Sequence, residues 1–376
     1  MKKTRHNKIL YTLSKPFLSL YFLFRYNFWA KAKRFPGKKG YLVFAKRSSF
    51  LDPILVRLAV RGKLIFANDD FLFTPSQNLL LSKVGFGASG KDTEDIKRIE
   101  GYLDHKINVC YLLDESDKEG VNNLITEKDI AFFKKFFTGF AVLNISGIDR
   151  VYPKYAHYPR HGKIRASYPK IIPFKSLVKT SDSDLAKLIT KILTEDHIKK
   201  PVKSKKRAEY LERSLYICPK CHSTCKLFTN GSVISCKTCD LHVCLNSDLT
   251  LDDPNVSSIK AWEAFQDDYI KKQVYNNDES IFSDNMVDVY EFAELRKAEL
   301  IKKGSLTLTK TFLKIKDMKI DIMFYLDKII DVKLNCYGGI YFRTKDKHFL
   351  VKGGKRFNAL KYVKYIKFLK DGGQNA

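Results

Sequence analysis

The chain has 376 residues, 44% of them hydrophobic, which excludes a disordered or low-complexity chain and leaves room for more than one core. Lys and Arg number 68 against 41 Asp and Glu, a formal charge of +27. That excess favours an anionic partner, nucleic acid or lipid headgroups, over a cationic one, unless it reflects a general lysine bias.

The amino terminus places Lys2, Lys3, Arg5 and Lys8 ahead of an aromatic-rich apolar run from Ile9 to Phe24, with Tyr26, Phe28 and Trp29 following. Lys15 and Pro16 interrupt the run, so it falls short of the about 20 mainly apolar residues of a membrane span. No small-residue cleavage site follows, so a signal peptide is not expected. Apolar stretches flanked by cations fit helices lying in a membrane interface. The alternative is a helix packed on its own domain.

From residue 40 the pattern alternates. Strands are expected at 41–45, 64–67, 86–88, 108–113, 140–145 and 164–168. Helices are expected from Asp52, with Asp52 as cap and Pro53 in the first turn, then around 76–83, over 93–103, and from Thr126 through Phe137 with Gly139 ending it. Such an order predicts an α/β fold with a mixed, mainly parallel sheet and helices on both faces. Residues 175–206 read as a basic helical linker, with Lys199, Lys200, Lys203, Lys205, Lys206 and Arg207 facing solvent or headgroups. Residues 257–300 read as helical, with Trp262, Phe265 and Tyr269 on one core-facing side. Beyond Gly304 the period becomes two, through 306–315, 320–325, 329–334, 339–343 and 348–351, before a helix at 358–369. Short strands closed by one helix predict a small barrel of pleckstrin-homology-like character.

Six of the eight cysteines lie between Cys218 and Cys244, which excludes a chain-wide disulfide framework and suggests a metal site in a reducing compartment. Cys218-Pro-Lys-Cys221 and Cys236-Lys-Thr-Cys239 are two CxxC knuckles, each setting two thiolates on one turn. Together they predict a structural zinc ribbon with a complete four-sulfur shell. Cys225, Cys244, His222 and His242 are spare ligands. The short segment needs its metal to fold. Nucleic acid is not the expected partner, because no interleaved aromatic and basic platform stands near the knuckles.

Residues 10–175, and more loosely 205–270, resemble the phospholipid and glycerol acyltransferase family, the 1-acyl-glycerol-3-phosphate acyltransferases in particular. The family block Asn-His-x-Ser-x-x-Asp corresponds to Lys46-Arg47-Ser48-Ser49-Phe50-Leu51-Asp52, followed by Pro53. Ser49 and Asp52 fit, but the histidine that takes the acceptor's proton falls on Arg47. Arginine cannot accept that proton. It can bind phosphate or pair with Asp52. A second block puts Lys91 where the family has a phosphate-binding arginine, after Gly85-Phe86-Gly87-Ala88-Ser89-Gly90. The third, Phe-Pro-Glu-Gly-Thr, falls on Leu113-Asp114-Glu115-Ser116-Asp117 and keeps Glu115 alone. Lys128 matches the basic helix residue beyond it. Val142–Gly147 matches the strand before the family's Ser-Gly, without its proline, and Gly147–Lys154 and Gly162–Ile164 follow the family.

The resemblance implies a protein at the cytoplasmic membrane face that binds a glycerophospholipid or an acyl thioester of acyl carrier protein or coenzyme A. Asp52 is the family's catalytic aspartate, here without its histidine. Arg47, Ser49, Lys91, Glu115 and Lys128 are the expected substrate-binding residues. Acyl transfer by the usual route is not expected; His157 or His161 would be substitute bases if it occurred. A non-enzymatic membrane adaptor, with a protein partner, is the other reading. The organisation expected is interfacial helices over 1–35, the acyltransferase-like domain over 36–175, a linker over 176–214, the ribbon over 215–247, a helical segment over 248–303 and the small β domain over 304–376.

Overall fold

Alternation along β1, Leu42–Lys46, determines the first layer. Val43 and Ala45 enter one core, Leu42 and Phe44 another, and all four are buried. A strand buried on both sides requires a sheet covered on both faces. The structure is a computed structural model. It describes residues 8–28, 30, 34–49, 51–67, 86–87, 93–113, 124–167, 170–195, 198, 201–274, 281–292, 299–316, 321–335 and 338–372. The chain divides into two units: residues 1–72, 76–154 and 159–202, and residues 73–75, 155–158 and 203–376.

The first unit contains α1 (Lys8–Tyr26), β1, α2 (Asp52–Ala59), β2 (Leu64–Ala67), β3 (Phe86–Gly87), α3 (Thr93–Asp104), β4 (Asn108–Leu113) and α4 (Glu127–Lys134). β5 (Phe140–Leu143), β6 (Ile145–Ser146), α5 (Ile148–Val151), β7 (Arg165–Ala166), β8 (Lys170–Ile172), α6 (Phe174–Lys179) and α7 (Asp182–Thr194) complete it. Its sheet runs β3-β2-β4-β1-β5-β8. β1 is parallel to β4 and β5, β2 is parallel to β3 and β4, and β8 is antiparallel to β5. Phe22 and Tyr26 of α1 join Leu55, Val56 and Leu58 of α2 on one face. Ile99 and Leu103 of α3, Ile130 and Phe133 of α4, and Leu185, Ile189 and Leu193 of α7 cover the other. Each such side chain stabilises the fold by about 1.5–3 kcal/mol. The mixed α/β sheet with helices on both faces is therefore the observed class.

Local differences have local causes. α4 starts where expected, because Thr126 and Asp129 form a reciprocal capping box. It stops at Lys134, short of Phe137, and Phe137 takes a left-handed backbone with φ 48°. Gly139 does not end the helix; a Cβ there would strike the Tyr41 ring. The strand expected over 140–145 is two, since β6 leaves the main sheet to pair with β7. β8, the antiparallel edge, lies beyond the last strand expected. The segment read as a linker from 176 is not one throughout, because α7 buries Leu185, Ile189 and Leu193 in the first unit's core. The helix expected around 76–83 lies outside the described residues. Among the described residues no helix is long and apolar enough to cross a membrane.

The second unit holds β9 (Leu227–Asn230), β10 (Val233–Cys236) and β11 (His242–Cys244), an antiparallel three-stranded sheet. α8 (Ile259–Val274) follows. Then come β12 (Phe282–Phe292), β13 (Glu299–Leu308), β14 (Phe312–Lys316), β15 (Ile322–Tyr325), β16 (Asp331–Leu334), β17 (Ile340–Arg343), β18 (His348–Lys352) and α9 (Ala359–Gly372). These seven strands order as β15-β14-β13-β12-β18-β17-β16, and neighbouring strands are antiparallel. The helical reading of 257–300 holds over α8 but fails from Phe282, where β12 pairs with antiparallel β13. Helix-favouring Glu, Lys and Ala obscured the alternation, and cross-strand pairing overrode propensity. Val287 and Val289 of β12 and Leu306 and Leu308 of β13 are fully buried, and they pack with Tyr362 and Ile366 of α9.

Candidate functional site

The turn after β1 carries the residues of the first sequence block. The Arg47 N–H donates to the Leu113 carbonyl at 2.8 Å, continuing the register of β1 on β4. The Ser48 and Ser49 N–H groups then both donate to Asp52 Oδ2, at 2.5 and 2.6 Å. The sequence predicts Asp52 as the cap of α2. It is instead the first helical residue, after Leu51 at the cap, and its side chain reaches back to hold the turn. Pro53, lacking an N–H, sits where no helix bond is lost.

Asp52 is wholly buried, and among the described residues its Oδ1 has no hydrogen-bond partner. Burial pushes its carboxyl up to about 7, against the lowering effects of the Ser49 and Ser48 amides and the positive charges of Lys154 and Arg47. Cys110, buried on β4, is itself pushed well up, by burial first and by Asp52 second. A carboxyl at that pKa exchanges its proton near neutrality, whereas the guanidinium of Arg47 cannot serve as a base.

The structure therefore brings together Arg47, half-buried, with Ser49 and Asp52, both buried. Lys128 is exposed on the first turn of α4. Lys91 and Glu115 lie outside the described residues. His161 pairs with Arg25, Nη1 to Nδ1 at 2.9 Å. His157 belongs to the second unit, where its Nε2 donates to the Lys355 carbonyl at 2.9 Å. Sequence reasoning missed Cys110 and Lys154 as part of the Asp52 environment. Cys110 stands opposite Val43, a register that no local pattern specifies.

In the second unit, the thiol sulfurs of Cys218, Cys221, Cys236 and Cys239 lie within 4.8 Å of one another. The Cys218–Cys239 and Cys221–Cys236 separations are 3.6 and 3.8 Å. Metal–sulfur bonds of about 2.3 Å in a tetrahedron require sulfur edges of about 3.8 Å. The donor set and spacing thus fit one metal ion. The spare ligands stand elsewhere: Cys225 contacts Lys361, Cys244 faces Ser232, His222 packs on Phe265 and Tyr269, and His242 pairs with Ser235. The knuckles are braced from α8. Gln266 Oε1 accepts from the Tyr216 and Ile217 amides at 2.5 and 3.0 Å, and Trp262 Nε1 donates to the Ile217 carbonyl at 2.8 Å. Trp262 is therefore a core residue, as its helical spacing suggested.

Fold and sites define a two-unit chain: a mixed α/β sheet with flanking helices, then a four-cysteine cluster able to hold a metal and an antiparallel sheet closed by a helix. No protein-family model and no curated protein matches it. Among solved structures, the 1-acyl-sn-glycerophosphate acyltransferase of Thermotoga maritima is 13% identical, with a TM-score of 0.36, over 50% of this chain and 77% of that one. A chain of the 8S snRNP assembly intermediate is 7% identical, with a TM-score of 0.21, over 24% of this chain and 82% of that one. Scores of this size describe partial likeness; function is to be read from the residues of the two sites themselves.

Proposed function

We propose that this chain is a membrane-surface protein of the glycerolipid acyltransferase type that binds a glycerophospholipid or acyl donor and does not transfer the acyl group by the histidine route. The carrying observation is the turn after β1. It keeps the aspartate, fixed by two amides and buried, and replaces the histidine beside it with Arg47. A cation at the entrance to such a turn suits a phosphate, which arginine grips through two parallel N–H bonds.

Membrane association rests on α1. Phe17, Leu20, Tyr21 and Phe24 recur at i, i+3, i+4 and i+7 and are exposed, 74%, 54%, 55% and 80% respectively. The opposite face, Phe22 and Tyr26, is buried against the unit's own core. An apolar stripe on a helix of a strongly basic chain fits insertion into an anionic interface. The metal of the four-cysteine cluster is zinc in this reading, because four thiolates at tetrahedral spacing suit it, and its role is structural.

The test is an acyl-transfer assay on the purified chain with lysophosphatidic acid and acyl thioesters of coenzyme A and acyl carrier protein, run beside flotation on anionic vesicles. Vesicle binding without turnover is the expected result. Turnover abolished by Asp52→Ala but indifferent to Arg47 replacement would overturn it. The adaptor reading is favoured by one observation, the seven-stranded order with α9 closing it, which suits a pleckstrin-homology-like module. It predicts that residues 203–376 contribute to vesicle or protein binding independently of Arg47.

A further inference from the structure

Cys225 is a ribbon cysteine outside the four-thiol cluster, and a lysine amine stands against it. Lys361 Nζ lies 3.0 Å from Cys225 Sγ. Cys225 is exposed, whereas the Lys361 side chain is 1% exposed. Lysine is almost never buried to that degree unless paired. Its ammonium also meets Asp284 Oδ2 at 2.5 Å and lies over the rings of Phe282 and Tyr362, at 5.4 and 5.1 Å. The Tyr362 hydroxyl donates to the same Asp284 oxygen at 2.6 Å. Burial, then Asp284, push that hydroxyl far up, so it remains a donor.

The arrangement sets a solvent-reachable thiol, a fixed amine and a carboxylate in a row. A separation of 3.0 Å between nitrogen and sulfur is one that a single oxygen atom spans. We propose that Lys361 and Cys225 are an oxidative modification site, joined by dioxygen into an Nζ–O–Sγ bridge. The ammonium first sheds a proton, for which Asp284 is the adjacent acceptor. The S–H bond, one N–H bond of the amine and the O–O bond break. One N–O and one O–S bond form. One oxygen stays as the bridge, and the other leaves as water with the two hydrogens. Sulfur and nitrogen give up two electrons each, and dioxygen takes all four. External thiol reverses the link: four thiols become two disulfides, returning amine, Cys225 thiol and one water. The bridge ties the loop after the first knuckle to α9, the helix that closes the seven-stranded sheet, across 136 residues of sequence.

The test uses the full chain loaded with zinc, exposed to air-saturated buffer and digested for mass spectrometry. A peptide pair joining Cys225 to Lys361 with a net gain of about 14 Da, one oxygen in and two hydrogens out, is expected, and dithiothreitol should remove it. It should be missing from Cys225→Ser and from Lys361→Gln. The exposed Cys225→Ser change keeps the test decisive if the buried lysine variant does not fold. An unlinked Lys361 beside a Cys225 that is untouched, or that gains about 16 Da as a sulfenic acid, overturns the proposal.

Discussion

The Ser49 amide donates to the buried carboxylate of Asp52 at 2.6 Å, so the aspartate holds the turn that carries Arg47. The aspartate has a structural task separable from proton transfer. It fixes the path from β1 to α2 whether or not a base stands at residue 47.

That burial predicts a pH dependence. Asp52 is raised to about 7 when folded, by desolvation first, from its ordinary value of 3.8. Between those values the folded chain holds a proton that the unfolded chain releases. Asp52 therefore costs stability increasingly as pH rises through that window, on the order of a few kcal/mol by its upper end. Asp52→Asn imitates the protonated form. Its urea midpoint should gain on that of the unaltered protein as pH rises from about 4 to about 7, and hold that lead above it. Parallel profiles would show that the carboxyl titrates alike in both states.

On the proposed reading, Arg47→His should not by itself give acyl transfer, because Lys91 and the Leu113–Asp117 stretch also differ from the pattern of the acyltransferases the sequence resembles. Arg47→Ala should weaken binding of lysophosphatidic acid about 10-fold or more, the loss of one charge-assisted pair. Isothermal titration and the acyl-transfer assay read these two outcomes. Recovery of about 10²-fold turnover in Arg47→His would mean that a missing base is the sole defect.

Phe17→Ser with Phe24→Ser should leave folding intact, since both side chains are exposed. Each ring that enters the bilayer is worth about 1.5–3 kcal/mol, so the pair should reduce vesicle affinity by 100-fold or more. Flotation on vesicles with and without phosphatidylserine measures it. Binding of the parent chain should weaken with salt, through its cationic surface.

Chelation should unfold the ribbon. Removing one ligand, as in Cys239→Ser, should abolish stoichiometric metal, read as one ion per chain by elemental analysis. Trp262 reports the change, because its indole N–H bonds the Ile217 carbonyl next to Cys218. Its fluorescence should shift to the red on metal loss.

Gln266→Leu should cost about 2–4 kcal/mol, since it strands the buried amides of Tyr216 and Ile217. Denaturant unfolding of the metal-loaded chain measures this. A loss below about 0.5 kcal/mol would mean that α8 does not brace the knuckles.

The sequence by itself determined the parts governed by local chemistry. Period and capping marked β1, β2, β4 and the start of α4, and the Cys-x-x-Cys spacing named all four thiols of the cluster, because each knuckle is one turn long. It also singled out Arg47 and Asp52, which the structure places on one turn. Tertiary structure decided what depends on partners distant in the chain. The β12–β13 hairpin overrode a helical composition, because only paired strands bury Val287, Val289, Leu306 and Leu308 together. The antiparallel β8 edge, the desolvation of Asp52 beside Cys110 and the meeting of Cys225 with Lys361 depend on long-range register and burial. A residue's own type fixes its charge and its options. The low-dielectric surroundings that shift a carboxyl, or press an amine against a thiol, exist only once distant segments have packed.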